Sequence, residues 1–172
     1  LGGHRDQPLI YRTARALERR GIASLRFNFR GVGESEGAFT MGKREPEDAR
    51  AALNLIRAWK SLDRRRTGLM GYSFGATIAV KAAARERRVK ALALVSPPTT
   101  SFPAKEFRKS KAHSLLVAGA NDLIAVAGEV QRVAEERGPM AECRILAGTD
   151  HALAGREEEV AEMAAEFFAA RL

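Results

Sequence analysis

Apolar residues recur along the chain at two different spacings. Stretches with one apolar residue every three or four positions alternate with short runs that are apolar almost throughout, and the first spacing is typical of helices that bury one face. This spacing predicts helices over 8–20, 46–62, 74–86, 125–137 and 157–172. The short apolar runs predict five strands, over 22–29, 67–72, 89–96, 114–119 and 142–146.

The order of these elements indicates the fold class. Strands alternate with helices, and strands that are apolar on both faces are typical of a parallel sheet covered by helices on both sides. We therefore expect a single α/β domain over residues 1–172, a three-layer sandwich with a mostly parallel sheet. In such folds ligands bind beyond the carboxyl ends of the strands, so the polar residues that follow strands are the candidates for chemistry.

Composition narrows the classes of function. The net charge is +8, but the basic residues are dispersed and few aromatic residues lie among them, so we expect no nucleic-acid partner. No apolar run approaches membrane-spanning length, so we expect no membrane partner. One cysteine, Cys143, and three dispersed histidines make no recognisable metal site, and we expect no cofactor. The single cysteine favours a reducing, cytoplasmic location. The oligomeric state stays open.

The sequence Gly71-Tyr72-Ser73-Phe74-Gly75 lies where a predicted strand meets a predicted helix. A strand that turns sharply into a helix exposes the side chain of the middle residue at the carboxyl end of the sheet. The residues two before and two after that residue crowd each other, which is why we expect neither Gly71 nor Gly75 to tolerate a side chain. A Gly-rich turn that merely packs tightly is the alternative explanation.

Asp122 and His151 each come directly after one of the last two predicted strands. Since the carboxyl ends of parallel strands share one edge of the sheet, we expect both residues to lie near Ser73. A serine hydroxyl is a weak nucleophile that needs a base such as histidine, and the histidine needs a carboxylate to fix its tautomer. The three residue types together predict nucleophilic catalysis by serine.

Alternatives stay open for both partners of the serine. Asp122 precedes a predicted helix and is also placed to cap it. Asp150 is a rival acid, although its position next to His151 is a poor one for reaching the ring. His4 is a rival base, whereas His113 lies at the amino end of its strand, on the wrong side of the sheet.

These motifs resemble those of the α/β-hydrolase superfamily. The elbow at Ser73 and the turns over 119–122 and 148–151 resemble the family's Gly-x-Ser-x-Gly, Gly-x-x-Asp and Gly-x-x-His motifs, in the family's order of serine, acid and histidine. Residues 27–35 resemble its Asp-x-Arg-Gly-x-Gly-x-Ser loop, with Asn28 in place of the aspartate. The likeness covers nearly the whole chain and is strongest to small uncapped bacterial hydrolases of the dienelactone-hydrolase-like or esterase-like kind.

The resemblance implies a role for each residue. Ser73 would be the nucleophile, Asp122 the acid and His151 the base, while the backbone N–H of Phe74 would donate to the oxyanion. The family has strands before the Gly-rich turn with which this sequence begins, so we expect these N-terminal strands to be missing from it. The second oxyanion donor would then lie at or before Leu1.

The substrate is less visible in the sequence. Too few residues separate the predicted strands over 89–96 and 114–119 for a helical lid, so we expect a short loop over the site. Tyr72 and Phe102 are the candidates for substrate contacts: Phe102 lies in that loop, and core packing is the alternative for Tyr72. We predict a serine hydrolase that cleaves an ester or thioester of a small molecule through an acyl-enzyme. The alternative is a non-catalytic α/β-hydrolase scaffold that binds a protein or a ligand.

Overall fold

The computed structural model describes residues 3–172, which contain six α-helices and four strands. The helices are α1 (Pro8–Glu18), α2 (Glu45–Ala58), α3 (Phe74–Ala83), α4 (Ala104–Lys109), α5 (Ala127–Arg137) and α6 (Glu157–Arg171). The strands are β1 (Thr67–Tyr72), β2 (Val89–Val95), β3 (His113–Gly119) and β4 (Ala141–Leu146). All five predicted helices are present, and α4 is an addition. The largest shift is in α2, which was expected to reach residue 62 and ends at Ala58.

The four strands form one parallel sheet in the order β1-β2-β3-β4. Met70 of β1 pairs with Ala93 of β2, which in turn pairs with Leu115 of β3. Every strand therefore ends at the same edge of the sheet. This arrangement confirms the predicted parallel sheet and brings the three candidate residues to one side.

Alternate residues of β2 pack into two different helical layers. Ala91, Ala93 and Val95 belong to the core that α1 and α6 cover, whereas Leu92 and Leu94 belong to the core under α3 and α5. All five side chains are fully buried. Because both faces of the strand are covered, an apolar run without polar interruption is the sequence expected for it. The predicted three-layer architecture is confirmed.

The expectation of a strand over 22–29 is wrong. In residues 3–172 this segment has no strand partner, and the sheet ends at β1. A cavity of about 490 Å³ has walls from both the segment and β1, including Phe27, Phe29 and Met70. A strand is held by hydrogen bonds to a neighbour, and an apolar sequence alone does not supply one. The sheet of the described residues consequently has four strands instead of five.

The connection between β2 and β3 is also more ordered than the expected loop. It contains a 3₁₀ turn at Thr99–Ser101 and the short helix α4. Phe107 of α4 is buried in the core, and the ring of Phe102 packs edge-on against it at a centroid distance of 5.3 Å. This connection therefore packs onto the rest of the domain. None of the helices in the described part of the chain combines the length and the apolar content that a bilayer crossing requires.

Candidate active site

Ser73 occupies a strained corner between β1 and α3. Its backbone has φ 52° and ψ −120°, in a region that residues with a side chain rarely adopt. The corner is fixed on the sheet side, where the Ser73 N–H donates to the Val95 carbonyl at 2.8 Å. On the other side, α3 begins at the next residue. The expected strand-to-helix elbow is therefore present.

The two glycines of the elbow, Gly71 and Gly75, differ in how much space a side chain would have. A Cβ at Gly71 would lie 2.2 Å from the Gly75 carbonyl oxygen, a backbone atom that cannot move away without shifting the helix. A Cβ at Gly75 would meet no atom within 4 Å. The crowding is one-sided because the carbonyl of Gly75 approaches the Cα of Gly71. The expectation of a required glycine thus holds for Gly71 and is wrong for Gly75.

Asp122 lies beyond the carboxyl end of β3, with its side chain fully shielded from solvent. Its Oδ1 accepts the N–H groups of Ile124 and Ala125, each at 2.8 Å, so it also caps the turn before α5. Burial alone would raise the pKa of this carboxyl, but these two donors and the His151 ring outweigh burial and hold the pKa below its usual value. The group is a carboxylate at neutral pH.

Close passage of two loops brings Asp122 and His151 together. A Cβ at Gly119, the last residue of β3, would lie 2.4 Å from the Thr149 carbonyl oxygen in the loop after β4. The Asn121 N–H donates to that same carbonyl at 2.9 Å. The Gly-x-x-Asp pattern therefore has a steric cause, since only glycine allows this contact.

His151 bridges the other two residues. Its Nε2 lies 2.8 Å from Ser73 Oγ, and its Nδ1 lies 2.8 Å from Asp122 Oδ2. Because a carboxylate only accepts hydrogen bonds, Nδ1 carries the proton and Nε2 is free to accept the serine hydroxyl. The structure thus brings all three predicted residues into one chain of hydrogen bonds.

Asp150 and His4, the alternatives for the acid and the base, form hydrogen bonds with residues other than Ser73 and His151. Asp150 is exposed, and its carboxylate accepts the N–H of Ala152 in its own turn. His4 is exposed and lies beside Asp6, whose N–H its ring accepts. The histidine that reaches Ser73 is His151.

Four further residues are predicted for the site: Phe74, Leu1, Tyr72 and Phe102. Phe74 is the first residue of α3, and an N–H in the first turn of a helix has no acceptor within the helix. Leu1 lies outside the described residues. Tyr72 turns its hydroxyl toward the backbone of His151, and the Phe102 ring packs against Phe107 in the connection between β2 and β3.

The sequence did not predict a role for two residues of this region, Ser96 and Glu45. Ser96 follows β2 directly, is fully buried, and has φ 43°. Glu45 is fully buried at the start of α2 and accepts the N–H of Gly42, where an added Cβ would lie 3.6 Å from the Phe74 ring. A polar residue directly after a buried strand is the signal that could have pointed to Ser96. In residues 3–172 no group of three or more potential metal ligands is found.

The chain matches a family model described as an alpha/beta hydrolase domain over residues 1–170. The chain belongs to the α/β-hydrolase family. The elbow, the order of the three polar residues and the parallel sheet are all explained by this membership.

Solved structures of other α/β hydrolases agree with this one. A protein of unknown function from Agrobacterium tumefaciens is 25% identical, with a TM-score of 0.88 over 96% of this chain and 78% of that one. An α/β serine hydrolase homologue from Coxiella burnetii is 30% identical, with a TM-score of 0.83 and the same coverage. A lid-free α/β serine hydrolase from Xanthomonas campestris is 29% identical over 94% of this chain and 76% of that one, with a TM-score of 0.78. The resemblance to small bacterial hydrolases without a lid is confirmed, and these neighbours support a hydrolase activity.

Proposed function

We propose that this α/β hydrolase is a serine hydrolase that cleaves a carboxylic ester, or a thioester, of a small molecule. The observation that carries the proposal is the chain of two 2.8 Å contacts from Ser73 Oγ through His151 to the carboxylate of Asp122. A serine, a base and an orienting acid in this order supply what acyl transfer needs. The family membership and the serine hydrolase neighbours support the same reaction class.

The first step forms the acyl-enzyme. As Ser73 Oγ attacks the carbonyl carbon, His151 Nε2 takes the hydroxyl proton, and the carbonyl electrons move onto its oxygen. The N–H of Phe74 donates to that oxygen. The collapse of this intermediate expels the alcohol or thiol, which leaves with the proton held by His151. Asp122, a carboxylate at neutral pH, stabilises the imidazolium that exists between the two proton transfers.

The second step releases the acid. Water replaces the alcohol in the site and loses a proton to His151 Nε2 as its oxygen attacks the acyl carbon. The carbon–oxygen bond to Ser73 then breaks, and the serine oxygen recovers the proton from His151. The enzyme returns to its starting state, with one ester bond hydrolysed.

The surroundings of the site favour a small and partly apolar substrate. The connection between β2 and β3 packs onto the domain, so it does not enclose a buried channel. Leu123 and Ile124, directly after Asp122, expose 91% and 48% of their surface. Phe102, in that connection, is the aromatic candidate for the wall of the acyl site. An exposed apolar rim beside an open site suits a short acyl or alkyl group better than a charged one.

Hydrolysis of short p-nitrophenyl esters tests the proposal. We expect Ser73→Ala to lower kcat by a factor of about 10³ or more, because Ser73 Oγ is the hydroxyl that contacts the base His151. Ser61→Ala, which changes an exposed serine after α2, is the matched control and should keep full activity. Equal rates for Ser73→Ala and the unmodified protein would reject the nucleophile and favour a non-catalytic scaffold.

A further inference from the structure

Two hydroxyl groups point at the backbone carbonyl of His151. Tyr72 Oη donates to it at 2.9 Å and Ser96 Oγ at 3.4 Å. The Tyr72 ring also lies almost parallel to the His151 imidazole, with 5.9 Å between the ring centroids and 25° between the planes. The residue whose ring accepts the Ser73 hydroxyl is thus held through its main chain as well.

These hydroxyls come from the ends of two neighbouring strands. Tyr72 is the last residue of β1 and pairs with Val95, and Ser96 is the residue after Val95. The sheet holds both strand ends rigidly, whereas His151 lies in the loop between β4 and α6. The two hydroxyl groups therefore tie a loop residue to the sheet edge that also carries Ser73.

The backbone of Ser96 is held in an uncommon conformation that directs its hydroxyl toward the carbonyl of His151. Its φ of 43° is left-handed, and its N–H donates to the Val117 carbonyl at 2.7 Å, one strand further on. The side chain is completely buried, so the hydroxyl needs an internal acceptor. Backbone strain of this kind persists where the surrounding contacts enforce the conformation, and it is often found at functional positions.

Asp122 alone does not fix the position of the imidazole. It holds Nδ1 and so sets the tautomer and the tilt of the ring, but the height of the ring above Ser73 follows from the main chain of His151. A displacement of about 1 Å at a reacting group costs roughly 100-fold in rate. A main-chain anchor on the same sheet edge prevents that displacement.

We propose that Tyr72 and Ser96 are positioning residues, which hold the carbonyl of His151 so that Nε2 stays within reach of the Ser73 hydroxyl. This inference rests on the proposed serine hydrolase function. Tyr72, which the sequence predicts as a substrate contact, would act through His151 instead. Burial, followed by the negative charges of Asp122 and Asp150, raises the pKa of Tyr72, so its hydroxyl keeps its proton and remains a donor at neutral and moderately alkaline pH.

Steady-state hydrolysis of p-nitrophenyl acetate by four variants tests the inference. Tyr72→Phe keeps the ring and loses the hydroxyl, and we expect kcat to fall about 10- to 100-fold with KM changed less than about 3-fold. Ser96→Ala, which removes the longer contact, should lower kcat by about 3- to 10-fold. Tyr11→Phe is the matched control, because Tyr11 is half-exposed on α1, and it should leave kcat unchanged. Ser73→Ala reports on the proposed function itself.

One further pair of proteins, His151→Ala with and without Tyr72→Phe, separates positioning from general stability. In a His151→Ala background the hydroxyl of Tyr72 has no imidazole to position, so adding Tyr72→Phe should not lower the residual rate further. Urea unfolding of each variant shows whether it is folded at the assay temperature. If Tyr72→Phe does not fold, the Ser96→Ala comparison in the two backgrounds decides the matter.

The outcomes distinguish the two proposals. A large loss in Ser73→Ala, with kcat within about 2-fold of the unmodified protein for both Tyr72→Phe and Ser96→Ala, overturns the positioning role and leaves the serine hydrolase standing. The same fractional loss with and without His151 also overturns it. Full activity of Ser73→Ala overturns the hydrolase proposal and the positioning role together.

Discussion

His151 Nδ1 lies 2.8 Å from Asp122 Oδ2, and the carboxyl group that accepts this bond is fully shielded from solvent. Two backbone N–H groups hold the other oxygen of the same carboxyl. The carboxylate is therefore fixed in place and charged before any substrate arrives. Its proposed task is to keep the proton of His151 on Nδ1 and to stabilise the imidazolium.

Replacement of Asp122 by Asn tests that task. We expect Asp122→Asn to lower kcat for p-nitrophenyl acetate by a factor of about 10⁴, since the amide presents the wrong partner to Nδ1 and carries no charge. Asp150→Asn is the matched control, because Asp150 is the neighbouring exposed acid, and its rate should stay within about 2-fold of the unmodified protein. A larger loss in Asp150→Asn than in Asp122→Asn would reassign the acid.

The buried carboxyl of Glu45 makes stability depend on pH. Burial tends to raise its pKa, but the Thr40 hydroxyl and the N–H groups of Thr40 and Gly42 outweigh burial and lower the pKa from 4.5 to about 2. Because the pKa is lower in the folded chain, the stabilisation is complete above pH 4.5 and is lost as the pH falls towards 2.

We expect Glu45→Gln to lower the free energy of unfolding at pH 7 by about 3 kcal/mol, as the pKa difference implies. The variant should also lose less stability than the unmodified protein between pH 4.5 and 2. Urea unfolding at several pH values measures both effects. Glu47→Gln removes an exposed carboxylate of the same helix and should change stability by less than about 1 kcal/mol. Parallel pH profiles for the unmodified protein and Glu45→Gln would show that Glu45 is not the group responsible.

The contact between Gly71 and Gly75 predicts a severe effect for a single methyl group. In Gly71→Ala the new Cβ meets a backbone carbonyl at 2.2 Å, so β1 and α3 must move apart. We expect a loss of about 3 kcal/mol or more in the free energy of unfolding, together with loss of esterase activity. Gly128→Ala, in α5, is the control: its Cβ would meet nothing within 4 Å, and alanine favours a helix by up to about 1 kcal/mol. Equal stability of Gly71→Ala and the unmodified protein would contradict the tight elbow.

The site was largely predictable from sequence because it depends on strand ends. Ser73, Asp122 and His151 each follow an apolar run, and a parallel sheet brings all such positions to one edge. This is why local patterns were enough to identify residues that are far apart in the chain.

The features that the sequence did not predict depend on contacts with distant segments of the chain, and a local sequence pattern does not specify those contacts. Residues 22–29 have the composition of a strand, but pairing requires a neighbour, and β1 is the edge of the sheet in the described residues. The left-handed φ of Ser96 and the hydrogen bond from its hydroxyl to the His151 carbonyl arise where the ends of three strands meet. Similarly, Glu45 looks like an ordinary charged residue at a helix start until the loop of Thr40 and Gly42 folds over it.

The most direct test of the central claim is covalent labelling by a fluorophosphonate, read by intact mass and peptide mapping. Attack by Ser73 Oγ on phosphorus displaces fluoride and leaves one adduct on that serine, and the rate depends on His151 as base. We predict one adduct per chain, located on Ser73, absent in Ser73→Ala and formed at least about 100-fold more slowly in His151→Ala. An unlabelled folded protein, or an adduct that persists in Ser73→Ala, would contradict the claim that Ser73 is the nucleophile of this α/β hydrolase.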